Sequence, residues 1–283
     1  MTTVVWVDGR VGDERTATVT ATDHGLTVGD GVFETCHVAD GEVFAVTRHL
    51  RRLGWSAAAL GLTPPPDDVV RAAIAETLAA ARGRGVDLAN GRLRITLTGG
   101  PGPLGSQRGP AGSTLVVAVS AAPPWPADPA AVTVPWTRNE RSAIAGVKST
   151  SYAENVVALA AAHRRGAQEA LLANTRGELC EGTGTNVVVV ADGVLLTPPQ
   201  TSGCLAGITR ELLLEWAADA GLPLVEKDLP IEVLAEADDV LLTSSTRGVQ
   251  PQAAIDGRPL PRGELARAAE ELYAGRAATG LDP

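Results

Sequence analysis

The chain has 283 residues, 45% of them apolar, enough to bury a core in one large or two moderate domains. A net charge of −9 argues against nucleic acid as a partner, and no apolar run reaches the ~20 residues a membrane-spanning helix needs. Three widely spaced cysteines (Cys36, Cys180 and Cys204) fit neither a disulfide framework nor a zinc site, and the start Met1 to Val4 lacks a signal-peptide pattern, so a cytoplasmic protein without a metal is expected.

Val4 to Val7 is β-rich, Asp8-Gly9 offers a turn, and a second short strand is expected around Thr16 to Thr20. The glycine-punctuated stretch Asp23-His-Gly-Leu-Thr-Val-Gly-Asp-Gly31 leads into a strand over Val32 to Val38, and Asp40-Gly41 closes a hairpin with Glu42 to Val46. By the period of two, Phe33, Thr35 and His37 share one strand face, which suits a pocket wall or, equally, a partly solvated surface. His24 and His49 read as structural. Thr47 is placed to cap a helix running to Leu60, with Leu50, Leu53, Ala57 and Leu60 as its apolar stripe and Arg48, Arg51 and Arg52 along it.

A second helix is expected over Asp67 to about Arg82. Arg92 to Thr98 alternates as a strand and ends in Gly99-Gly-Pro-Gly-Pro-Leu-Gly105, too rich in glycine and proline for regular structure. Another strand covers Thr114 to Ser120. Ala121 to Pro129 then holds four prolines in nine residues, marking a boundary between a small α/β domain over 1–120 and a larger one over 131–283, with 121–130 as linker.

Beyond the linker, strands are expected at Val132 to Trp136, Ala170 to Ala173, Val187 to Val190, Val194 to Leu196, Leu222 to Val225 and Val240 to Leu242. Helices are expected over Ser151 to His163 and Thr209 to Ala220, and a tail helix over Gly263 to Leu272 that then frays. The mixture lacks a regular βαβ rhythm, which indicates a mixed α+β fold. No glycine-rich dinucleotide fingerprint follows a strand and no P-loop occurs.

Of the 24 basic residues only Lys148 and Lys227 are lysines. A chain that uses arginine wherever a charge suffices keeps lysine where arginine cannot serve, and lysine alone can lose its proton and attack a carbonyl. Lys227 sits between Glu226 and Asp228 as a solvated charge. Lys148 follows the apolar run Ile144-Ala-Gly-Val147, where desolvation favours the neutral amine. An ordinary lysine at the start of a helix is the competing reading.

Three further motifs bear on it. Glu181-Gly-Thr-Gly-Thr-Asn186 puts an acid just before a buried strand. Leu205-Ala-Gly-Ile-Thr-Arg210 opens a helix, a ready anion site. Leu242-Thr-Ser-Ser-Thr-Arg-Gly248 ends a strand in four consecutive hydroxyl residues. Each alone is a cap, a turn or a solvated acid. Together with the lysine they describe a site for pyridoxal phosphate, whose aldehyde needs an amine, whose ring nitrogen needs a carboxylate, and whose phosphate needs donors.

The segment Glu181 to Arg210 resembles the signature of the class IV aminotransferases, the fold type IV pyridoxal phosphate enzymes. Glu181, Thr183, Asn186, Leu195 to Thr197 and Gly207-Ile-Thr-Arg210 fall at the family's spacings, with Val188 standing where the family prefers an aromatic. Gly29-Asp-Gly-Val-Phe-Glu-Thr35, His49-Leu-Arg-Arg-Leu-Gly-Trp-Ser56, Gly146-Val-Lys148 and Ser244-Ser-Thr-Arg-Gly248 extend the resemblance over nearly the whole chain. It implies two α/β domains with the cofactor between them. Lys148 would be the Schiff-base lysine, and Glu181 the partner of the pyridine nitrogen. Arg52 would clamp the phosphate, with Gly207, the Ile208 and Thr209 amides and the Ser245 and Thr246 hydroxyls, while Tyr152 would contact the ring.

The substrate side would be lined by Phe33, Thr35, His37, Arg94, Thr246 and Arg247, and by Arg108 on a loop that completes a partner's pocket in a homodimer. The partners implied are a small amino donor and a 2-oxo acid. Ser244-Ser-Thr-Arg247 replaces the Gly-Thr-Ala-Ala turn of branched-chain enzymes, which turns the expectation to a D-amino acid or (R)-amine transaminase. A 4-amino-4-deoxychorismate lyase is the alternative and a branched-chain aminotransferase a remote one. Gly99 stands where well-known D-amino-acid enzymes carry an arginine, so the substrate carboxylate would have to meet His37, Arg94, Arg108 or Arg247.

Overall fold

The computed structural model describes residues 2–283, and its contacts divide the chain into two compact units. The first holds residues 1–124, 147–152 and 281–283; the second holds 125–146 and 153–280. The division falls at Pro124 and Trp125, inside the proline-rich stretch. Residues 147–152, expected with the second domain, group with the first.

In the first unit the elements are β1 (Val4–Val7), β2 (Arg10–Asp13), α1 (His24–Thr27), β3 (Gly31–Ala39), β4 (Glu42–Val43), α2 (Val46–Ala59), α3 (Asp67–Gly83), β5 (Asn90–Thr98) and β6 (Thr114–Ala121). They form a six-stranded sheet in the order β2-β1-β6-β5-β3-β4, antiparallel throughout. Asp40 and Gly41, both at positive φ, make the tight turn between β3 and β4. Helices α2 and α3 cover one face, where Leu50, Leu53, Ile74 and Leu78 pack on Val32, Cys36, Leu93 and Ile95. Strand alternation then leaves Phe33, Thr35 and His37 on the opposite face, beside Thr96, Arg94 and Arg92 in register on β5.

Three local expectations change. Residues 16–20 form no strand; β2 lies earlier, at Arg10–Asp13, because it pairs with β1 across the Asp8-Gly9 turn. Thr47 does not cap α2. The helix starts at Val46 behind Ala45 in the left-handed region (φ 53°), and the Thr47 amide donates to Asp282 Oδ1 at 2.9 Å. The chain's end therefore caps this helix: Ala45 N–H donates to Leu281 O at 2.7 Å and Arg48 Nε to Pro283 O at 2.8 Å. Nor does the tail simply fray after its helix.

The second unit contains β7 (Ala130–Arg138), α4 (Ala153–Arg164), β8 (Glu169–Asn174), β9 (Leu179–Gly182), β10 (Asn186–Ala191), β11 (Val194–Thr197), α5 (Ile208–Ala220), β12 (Leu224–Glu226), α6 (Val233–Glu236), β13 (Asp239–Ser244), β14 (Gly248–Pro251), β15 (Ala254–Ile255), β16 (Arg258–Pro259) and α7 (Glu264–Ala277). These build two five-stranded mixed sheets, β12-β11-β10-β13-β14 and β16-β15-β7-β8-β9. Ala131, Leu171 and Leu179 of one sheet meet Val187, Val189, Val240 and Leu242 of the other in a buried core. No helix among the described residues is long and apolar enough to cross a membrane.

Candidate functional site

Lys148 is not on a helix. Residues 148–150 run extended alongside the start of β3: Phe33 N–H donates to Lys148 O at 2.9 Å and Thr150 N–H to Gly31 O at 2.8 Å. Helix α4 begins only at Ala153. The sequence folds this way because the hydroxyl-rich Ser149-Thr-Ser151 run competes poorly for helix and finds carbonyls instead, with Thr150 and Ser151 hydroxyls donating to Gly29 O at 3.0 and 2.9 Å. Lys148 is thereby fixed against the strand that carries Phe33.

Around the Phe33 ring, itself 3% exposed, three predicted residues converge. Lys148 Nζ lies 4.6 Å from the ring centroid, the Arg94 guanidinium carbon 3.7 Å, and Tyr152 meets the ring edge-on at 5.3 Å. The first two distances place the guanidinium within about 8 Å of the amine. Arg94 has no carboxylate at ion-pair distance among the described residues; its Nε has only a long contact to Thr96 Oγ1 at 3.4 Å. Thr35 is directly opposite Arg94 in the sheet. His37 lies further along β3, its Nε2 3.0 Å from Asn90 Oδ1.

On the other face of β3, Glu34 is fully buried and takes two hydrogen bonds from Arg52, Nε to Oε1 at 2.8 Å and Nη2 to Oε2 at 2.6 Å. His49 Nδ1 is 2.7 Å from Oε2 and donates, since an ionised carboxylate only accepts. Burial pushes the Glu34 carboxyl up, but Arg52 and His49 more than reverse that and hold it at about 2. Burial also keeps His49 below its ordinary value, so it stays neutral near pH 7. The sequence signals His49-x-x-Arg52 and Glu34 were legible; their meeting across helix and strand was not.

Arg108 is exposed and engaged within its own unit. It forks onto Asp30 through Nε and Nη2, each at 2.7 Å, and donates to Leu60 O and Gly61 O at 2.7 and 2.9 Å, tying its loop to the end of α2.

In the second unit, Glu181 lies on β9, an element the sequence pattern missed. Its Oε1 is 3.2 Å from Arg138 Nε and its Oε2 accepts the Leu205 amide at 2.9 Å. Arg138 is shared with Glu154 at 2.9 Å. Asn186 Nδ2 donates to Leu205 O at 2.8 Å, locking the approach to α5. Gly207 is the N-cap of α5, no side chain caps that helix, and a Cβ on Gly207 would lie 1.8 Å from Asn186 Oδ1. Ile208 and Thr209 are its first, buried residues.

Ser245 and Thr246 occupy the turn between β13 and β14, where Thr246 O accepts from Trp125 Nε1 at 2.8 Å. Arg247 is buried and bonded to Glu169 Oε2 at 3.1 Å. An uncapped helix N-terminus with a glycine at its cap and a hydroxyl-rich turn are donors for a phosphate; an ionised carboxylate suits a protonated ring nitrogen; an amine on an aromatic platform suits an aldehyde. The residues present fit pyridoxal phosphate. Among the described residues no group of three or more histidine, cysteine or acidic side chains could hold a metal.

The comparisons agree with that chemistry. The family model for amino-transferase class IV matches residues 31–255. A putative branched-chain-amino-acid aminotransferase of Methanocaldococcus jannaschii is 32% identical over 277 residues, covering 95% of this chain and 94% of that one. A D-alanine aminotransferase of Listeria innocua is 30% identical over 285 residues, covering 95% and 93%.

Among solved structures, the branched-chain aminotransferase of Thermoproteus uzoniensis with norvaline superposes with a TM-score of 0.86 at 32% identity, covering 99% of this chain and 96% of that one. A hypothetical aminotransferase from Mycobacterium tuberculosis in its PLP-bound form gives 0.84 at 28% identity, covering 98% and 99%. Fold and donor set define a pyridoxal phosphate enzyme of fold type IV. The chain belongs to the class IV aminotransferase family and acts on an amino donor and a 2-oxo acid with that cofactor.

Proposed function

We propose that the protein transfers an amino group from a D-amino acid to a small 2-oxo acid. The observation that carries the choice of an amino acid over a simple (R)-amine is Arg94, a solvent-accessible guanidinium with no carboxylate at ion-pair distance among the described residues, held on the same aromatic ring as Lys148. A cation so placed is a receptor for the donor's carboxylate. The D-configuration is supported by the Ser244-Ser-Thr-Arg247 turn and by the D-alanine aminotransferases among the relatives.

Pyridoxal phosphate, when bound, supplies the aldehyde carbon and a ring that accepts an electron pair from the donor's Cα. Lys148 Nζ removes the proton from Cα, and Phe33 fixes where that amine can be. Glu181, oriented by Arg138 and the Leu205 amide, holds a proton at the ring nitrogen. Arg52, oriented by Glu34, and the donors of Ile208, Thr209, Ser245 and Thr246 bind the phosphate. Tyr152 orients the ring, Thr35 and His37 line the substrate side, and the working assembly is a homodimer.

The test offers D- and L-amino acids and (R)-amines with pyruvate or 2-oxoglutarate, following the new 2-oxo acid and the cofactor's absorbance. D-alanine or D-glutamate should be the best donors. Preference for L-leucine over D-alanine by about a hundredfold would replace the reading with a branched-chain enzyme, and equal use of (R)-amines would remove the role given to Arg94. Release of p-aminobenzoate from 4-amino-4-deoxychorismate without transamination would make it a lyase.

A further inference from the structure

Glu169, at the start of β8, has a side chain 1% exposed and no part in the reaction as described. Its carboxylate is nevertheless where three parts of the second unit meet. Oε1 accepts the Thr183 amide at 3.0 Å and the hydroxyl of the same residue, and Oε2 accepts the Thr185 hydroxyl at 3.3 Å. These bonds hold the loop that separates Glu181 from Asn186. Gly182 makes the approach possible, since a Cβ there would lie 2.2 Å from Thr185 Oγ1 and 3.1 Å from Glu169 Cγ.

From the other side Arg247 Nη2 reaches Oε2 at 3.1 Å, with its own side chain 6% exposed. The Arg247 guanidinium lies 3.8 Å over the Trp125 ring, and Trp125 Nε1 holds the Thr246 carbonyl at 2.8 Å. Residues far apart in sequence thus clasp the turn after β13 on both flanks. A buried guanidinium whose charge is already answered by a buried carboxylate is a poor receptor for a second one. Its value is geometric: the stacked, ion-paired plane leaves the turn one conformation.

We propose that Glu169, Arg247 and Trp125 are positioning residues that fix the Ser244 to Gly248 turn and so determine how Thr246 meets the amino donor. This rests on the transaminase reading and on Thr246 lining the substrate side. Arg247 then acts on specificity through the turn, not by binding the substrate carboxylate itself.

The experiment first establishes turnover of an amino acid by the wild-type holoenzyme, so that failure of the transaminase reading shows before any variant is compared. Glu169→Gln, Arg247→Met, their double variant and Trp125→Phe are then assayed at saturating cofactor. Each single charge deletion should raise KM for the donor about tenfold with kcat within about threefold. The double variant should lie closer to wild type than the worse single one, because deleting one partner strands a buried charge and deleting both does not.

Trp125→Phe keeps an aromatic face under Arg247, smaller than the indole, and removes the N–H held by Thr246; it should raise KM about threefold. Unchanged KM in all four, with only a lowered melting temperature, overturns the proposal. So does a rise of about a hundredfold for Arg247→Met with Glu169→Gln neutral, which would make Arg247 a direct receptor. If Glu169→Gln does not fold, Trp125→Phe and Arg247→Lys decide by the same KM criterion.

Discussion

Glu34→Gln isolates a fully buried charge in the first unit. The carboxylate takes three hydrogen bonds, two from Arg52 and one from His49, with no solvent access. Burial alone would raise its pKa; Arg52 and His49 bring it from 4.5 to about 2. At about 1.4 kcal/mol per pK unit, that depression corresponds to about 3 kcal/mol of stability carried by the ionised form.

The sign follows from the direction. A folded-state pKa below the unfolded one makes the contribution complete above about pH 4.5 and lost as pH falls toward 2. The amide of Glu34→Gln has no charge to lose and strands the Arg52 guanidinium, so the variant should be destabilised at pH 7. About 3 kcal/mol in a chain of this size is roughly 6–12 °C of melting temperature. The assay is thermal unfolding of the apoprotein between pH 2.5 and 8, so that cofactor affinity does not enter. The wild-type minus variant difference should be largest near neutrality and shrink below pH 4. A difference under about 2 °C at every pH would refute the reasoning.

Lys148→Ala should abolish transamination by at least about a thousandfold, and borohydride reduction followed by peptide mapping of the wild type should put the pyridoxyl label on Lys148 rather than Lys227. Glu181→Gln should retain cofactor by absorbance yet lose about a hundredfold or more in kcat, because a neutral side chain no longer holds the ring proton. Gly207→Ala should weaken cofactor binding by about tenfold or more in a fluorescence titration, since its Cβ would fall 1.8 Å from Asn186 Oδ1 and displace the first turn of α5.

What the sequence showed well was local. The alternation in β3 put Phe33, Thr35 and His37 on one face, and their register with Thr96, Arg94 and Arg92 bears that out. Lysine scarcity singled out Lys148, and the Glu181 to Arg210 spacing identified the family. What it hid depends on partners distant in sequence. Thr47 looked like a helix cap because nothing nearby says that Asp282, 235 residues later, takes its amide. The extended run of residues 148–150 went unforeseen because its pairing with Gly31 and Phe33 crosses more than a hundred residues. The Arg108–Asp30 fork joins residues 78 apart, and Glu169, just before the strand expected from Ala170, carried no signal of its own.

Arginine usage ties these points together. Arg52 is matched by Glu34, Arg108 by Asp30, Arg138 by Glu154 and Glu181, Arg210 by Glu226, and Arg247 by Glu169. A guanidinium within the protein needs such a partner, because an unpaired charge withdrawn from water costs more than the contacts around it return. Arg94 stands apart: it lies exposed to solvent beside Lys148, with an aromatic face beneath it and no acid at ion-pair distance among the described residues, so water answers its charge. A carboxylate-bearing substrate would put an anion where solvent now meets that guanidinium. Arg94→Leu should therefore raise KM for an amino acid by about a hundredfold while leaving any turnover of a simple (R)-amine within about threefold. Equal losses on both donors would show that Arg94 supports Phe33 and Lys148 rather than the substrate.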